Sequence, residues 1–163
     1  IPHPGRQEAG SILVQDGHMQ LWEVKEQELY NQTMKNMEET DRASILNMAD
    51  VFADMLGFLP GNLPEDGVPM YILTNQRRWN GAVQMLNRKA LEDMAVLFGA
   101  DYYILPSSIH ETILVPVGEQ TGTAWNLAQI VQEVNHTEVP PEEFLSSHVY
   151  QYCAGRGQVY IAA

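Results

Sequence analysis

The sequence predicts an α+β fold: a mainly antiparallel sheet built from hairpins, with helices packed on it. Two observations carry that expectation. Strand-length apolar runs come in closely spaced pairs, joined by links too short for parallel crossovers. Between the pairs lie segments whose apolar residues recur every three to four positions, the period of an amphipathic helix.

In chain order, 11–15 reads as a β-branched strand closed by the turn pair Asp16-Gly17. Leu29, Tyr30, Thr33, Met34 and Met37 give 25–37 one apolar helical face. Ile45, Met48, Ala49, Phe52 and Met55 do the same for 43–56, with Gly57 as the stop. Pro and Gly at close intervals mark 59–68 as a loop. A strand at 70–74, a polar turn at 75–80 and a return strand at 81–86 then form a hairpin, followed by a helix over 89–98 ended by Gly99. Strands at 102–105 and 111–115 flank Pro106, which has no N–H for a ladder and belongs at a strand end or bulge. Thr123 caps a helix over 124–134, Pro141 opens a short helical turn, and 148–152 with 158–161 close the chain as a hairpin. The expected order is β-α-α, then β-β-α-β-β-α-β-β. Residues 1–10 read as a flexible N-terminal segment and 11–163 as a single domain.

Charge narrows the range of partners. Twenty-one acidic against nine basic residues give a net charge of -12. That field repels phosphate backbones and anionic lipid, so no nucleic acid and no membrane is expected, while a protein partner is compatible with it. The lone Cys153 makes no internal disulfide, which fits a reducing cytoplasm. One cysteine and the scattered His3, His18, His136 and His148 build no metal site, and no glycine-rich phosphate loop joins a strand to a helix. No metal and no cofactor is expected. The opening residues have neither an initiator Met nor signal-peptide order, and the chain reads as a fragment or a processed product.

The densest polar block is Pro106-Ser107-Ser108-Ile109-His110-Glu111. Ser107, Ser108, His110 and Glu111 supply the components of a hydrolytic triad, with His148 as a distant second base. Neighbours on an extended strand point to opposite faces, however, and no Gly-x-Ser-x-Gly elbow exposes a serine. The favoured reading is a bulged bend whose hydroxyls satisfy free backbone groups. Arg77, Arg78 and Trp79 form the one compact basic cluster. Such a cluster can anchor a carboxylate or a partner protein, or simply offset nearby acids in a turn.

Three segments resemble a known family. They are Tyr71-Ile72-Leu73-Thr74-Asn75 with Gly81-Ala82, the block from Asp101 through Glu111 to Pro116, and Glu133-Val134-Asn135-His136-Thr137 with Ser147-His148-Val149-Tyr150. Together they resemble the bacterial domain-of-unknown-function family DUF5688, from Gly10 onward. The resemblance implies a C-terminal portion of a longer cytoplasmic protein from gut-type anaerobic Firmicutes, and it implies no activity. The leading expectation is a non-enzymatic protein-interaction or regulatory module. A Ser/His hydrolase at the 106–111 bend is the alternative, and a small anionic ligand binder using Arg77, Arg78 and the tyrosines is the third reading.

Overall fold

A computed structural model of the chain describes residues 12–56 and 67–163. The chain divides into two compact units, one running to Lys35 and the other from Asn36 to Ala163. The first holds a short helix, α1 (Asp16–Trp22), and most of α2 (Glu26–Glu39).

The second unit contains strands β1 (Ala43–Asn47), β2 (Tyr71–Asn75), β3 (Tyr102–Ser108), β4 (Glu111–Pro116), β5 (Tyr150–Cys153) and β6 (Gln158–Ile161). Its helices are α3 (Met48–Leu56), α4 (Arg88–Phe98) and α5 (Ala124–Thr137). Two short 3-10 turns, Gly81–Leu86 and Pro141–Glu143, complete it. The strands form one sheet in the order β1-β2-β4-β3-β5-β6, and every neighbouring pair is antiparallel. The α+β class and the antiparallel sheet are as the sequence predicts.

Pleating sends alternate residues of β3 to opposite faces. Tyr102 and Ile104 pack with Leu91 and Met94 of α4, while Tyr103 and Leu105 pack with Leu127, Ala128 and Val131 of α5. Helices therefore cover both faces of the central strands. Full burial of each such large side chain contributes about 1.5–3 kcal/mol. The helix ends are closed locally. Asn87 Oδ1 accepts from Ala90 N at 3.2 Å, Thr123 Oγ1 accepts from Asn126 N at 3.2 Å, and Gly99 ends α4 in the left-handed region at φ 65.

Three expected elements take a different form. Residues 12–15 are not a strand; they lead into α1, because His18 Nδ1 accepts the Gln15 N–H at 3.1 Å and the His18 and Trp22 rings stack one helical turn apart. Residues 43–47 are not helical either. Ile45 and Leu46 find Leu73 and Ile72 across the ladder, and the Asn47 side chain then accepts from Ala49 N at 2.9 Å to start α3. Pairing overrode a helical period that runs through both elements. Residues 81–86 form a 3-10 turn rather than a return strand, so β2 lies between β1 and β4.

Pro106 sits where the register between β3 and β4 shifts, in keeping with the bulge expected there. The N-terminal segment 1–10, the Gly57 stop and most of the 59–68 loop lie outside the described residues.

Candidate functional site

Two polar segments that the sequence marks separately meet at one end of the sheet. β2 ends at Asn75, whose side chain is fully buried and closes the following turn on itself. Its Oδ1 accepts from Trp79 N at 3.1 Å, and its Nδ2 donates to Trp79 O at 2.8 Å and to Asp41 Oδ2 at 3.0 Å. Arg78 and Asn80 take left-handed backbone, at φ 51 and φ 52, which the tight path requires. The turn then presents the indole of Trp79 and the amide of Asn80 to the bend between β3 and β4.

His110 stands at that bend. Asn80 N donates to its Nδ1 at 3.0 Å, and the rings of Trp79 and His110 lie 4.4 Å apart at 31°. With Nδ1 accepting, the hydrogen-bond network assigns the neutral ring's proton to Nε2. Nε2 lies 3.5 Å from Glu143 Oε1, in the Pro141–Glu143 turn. The backbone is clamped as well. Thr74 Oγ1 donates to His110 O at 2.7 Å, Ala82 N to Ile109 O at 3.2 Å, and Ile109 N to Glu143 O at 2.9 Å. One imidazole thus joins three segments distant in sequence.

Ser108 Oγ accepts from the His110 N–H at 3.0 Å, so the hydroxyl serves the backbone of the bend while both ring nitrogens face other groups. Ser107 and Glu111 are half-buried at the adjoining strand ends, and Glu111 pairs with Ser108 across the ladder. His148 is exposed and packs edge-on against Tyr150 at 6.4 Å rather than reaching the serines. The structure therefore brings Trp79 and His110 together and gives Ser108 a backbone partner.

Arg77 Nη2 reaches Asp41 Oδ1 at 3.0 Å, with its side chain 71% exposed, and Arg78 and Trp79 are exposed beside it. The tyrosines separate by burial. Tyr102 and Tyr152 stack at 5.2 Å inside the core, and Tyr102 OH donates to Leu91 O at 2.9 Å. Burial, and then the neighbouring Tyr152, pushes the Tyr102 phenol well above its ordinary range.

Asp41, Asn75, Asn80, Gln84 and Glu143 complete the corner, and sequence reading did not single them out. Gln84, fully buried, donates through Nε2 to Asp41 O, and its Oε1 accepts from Asn87 Nδ2 at 2.9 Å. The available signal was the pair Thr74-Asn75 ending an apolar strand, because polar groups at a buried strand end need partners. Among the described residues, no three His, Cys, Asp or Glu groups converge as a metal site, and no helix is long and apolar enough to cross a membrane.

Compared with family models, residues 3–154 match the family of unknown function DUF5688. No curated protein and no solved structure matches the chain.

Proposed function

The chain belongs to this family of unknown function, which supplies no activity to inherit, and we propose that it is a non-enzymatic protein-interaction module with a regulatory role in the bacterial cytoplasm. One observation carries the reading: large apolar side chains stand in solvent on the helices that cover the sheet. Val96 is 83% exposed on α4 and Trp125 is 65% exposed on α5, with Leu97 and Ile130 exposed beside them. The two helices lie on opposite faces of the sheet, so these side chains offer two separate apolar surfaces. Exposed apolar groups on rigid elements mark association surfaces, and an exposed tryptophan such as that of α5 is a frequent kind of anchor. The polar corner points the same way. The His110 imidazole, the Asn75 amide and the Ser108 hydroxyl are engaged in joining backbone segments. A charge of -12 favours a partner that is not a nucleic acid or an anionic membrane.

The test is affinity capture from native lysate with the full-length protein, compared with a Trp125→Asp variant of equal thermal stability. The reading expects a saturable protein partner that the variant loses. Recovery of no specific partner counts against it. So does covalent labelling of Ser107 or Ser108 by a fluorophosphonate, which would favour hydrolysis.

A further inference from the structure

We propose that the outer edge of β6 is a strand-addition site for an extended peptide that carries apolar side chains and a Glu or Asp placed to meet Arg88. This rests on the protein-interaction reading and adds to it a further surface, separate from the exposed apolar side chains of α4 and α5, with a stated partner chemistry.

Among the described residues β6 is the last strand of the sheet, paired on one side with β5. Ala162 N donates to Val149 O at 2.8 Å, which sets the even-numbered residues of β6 toward β5. The N–H and C=O groups of Val159 and Ile161 therefore point outward. Natural edges are often blunted by charge, proline or a bulge. Gln158-Val159-Tyr160-Ile161 has no charge and no proline, and a bulge comes only after it, where Ala162 N and Ala163 N both donate to Val149 O. Tyr160 is 47% and Ile161 59% exposed.

Beside this edge lies an open groove of about 350 Å³. Met85, Leu86 and Leu91 form one wall, and Val159 and Ile161 form the other. Leu86 is itself exposed. A strand laid along β6 would send alternate side chains to this face, where the groove accepts an apolar one. Arg88 is the one charged group among the described residues lining the groove, a local cation that would hold an acidic side chain against the repulsion of a chain of net charge -12. Glu92, one turn further along α4, borders the neighbouring hollow, and it acts together with Arg88 on the Tyr152 phenol that lines this groove. Backbone pairing supplies affinity, the groove selects an apolar residue, and the guanidinium selects a carboxylate.

The experiment titrates the whole chain, by amide NMR, with the blocked peptide acetyl-Thr-Val-Thr-Glu-Thr-Val-amide and its Glu-to-Lys counterpart. The expected result is that the Val159 and Ile161 amides shift and exchange more slowly, with the Glu peptide bound about tenfold tighter than the Lys peptide. Arg88→Glu should reverse that preference. Ile161→Pro removes an outward donor without touching the β5 ladder and should abolish binding. Arg88→Glu, a surface change, keeps the test decisive should the proline variant fail to fold. Equal binding of the two peptides, unmoved β6 amides, or occupation of the edge by a second copy of the chain would overturn the proposal. A lysate partner that still binds both variants would overturn this site while leaving the interaction reading in place.

Discussion

The indole of Trp79 rests 4.4 Å from the imidazole of His110, although the two residues belong to different turns of the sheet. Asn80, next to Trp79, donates its amide to the same ring, so the contact is both a packed aromatic pair and a hydrogen bond. Neither turn has this geometry alone. The left-handed Asn80 is held by His110 across the sheet and Arg78 by its own turn, where its N–H donates to Asn75 O at 3.1 Å, the usual condition under which strained backbone persists.

Gly81 follows directly, and it is a matter of space. A Cβ there would fall 2.2 Å from Thr74 Oγ1, 2.5 Å from Asn75 N and 2.8 Å from His110 O. Two of those atoms are backbone and cannot rotate away. Gly81→Ala should destabilise by roughly 3 kcal/mol or more, read as a lower midpoint in urea denaturation. A near-neutral result would mean that the turn does not pack against the bend.

Thr112 gives the opposite sign. Its side chain is fully buried, and its Oγ1 has no hydrogen-bond partner among the described residues. Thr112→Val keeps the shape and removes the unsatisfied hydroxyl, so thermal denaturation should show a gain of about 1 kcal/mol.

The Asp41 carboxylate holds two partners of very different weight. The Arg77 contact is mostly in water, and Arg77→Ala should cost at most about 1 kcal/mol. Asn75 is buried and bridges Asp41 to both backbone groups of Trp79, so Asn75→Ala should cost roughly 2–4 kcal/mol. Parallel chemical denaturation of the two variants checks the ranking.

Tyr102 sets a limit at alkaline pH. Burial raises its phenol in the folded state, so the neutral form favours folding. That contribution is fully present below the unfolded phenol value of about 10 and is lost as the pH climbs beyond it. Stability measured against pH should fall above that point. Tyr102→Phe should flatten the fall and lose about 1 kcal/mol for the bond to Leu91 O.

How much of this was legible depended on whether a signal was local. The cap at Thr123 and the stop at Gly99 are written within a few residues, and both helices formed where expected. The bulge at Pro106 follows from proline's missing N–H. The segment 43–56 misled because Ile45 fits a helical stripe and a strand equally well, and only β2 decides between them. Residues 81–86 misled because the close approach of Gly81 to Thr74 is a three-dimensional fact. The site showed the same division. The block 106–111 and the Arg77–Trp79 cluster stood out in the sequence, but their union through Trp79 and Asn80, and the tie from His110 to Glu143, needed the fold.

The most direct test of the account concerns His110. Its imidazole is taken as a joint between backbone segments, held by Asn80 N, Trp79 and Glu143. Equilibrium denaturation of His110→Ala beside the parent protein reads that role without reference to any substrate. The account predicts a loss of about 1–3 kcal/mol, from the bond to Asn80 and the ring contact together. Unchanged or increased stability, as for a residue kept for chemistry at the expense of stability, would contradict it.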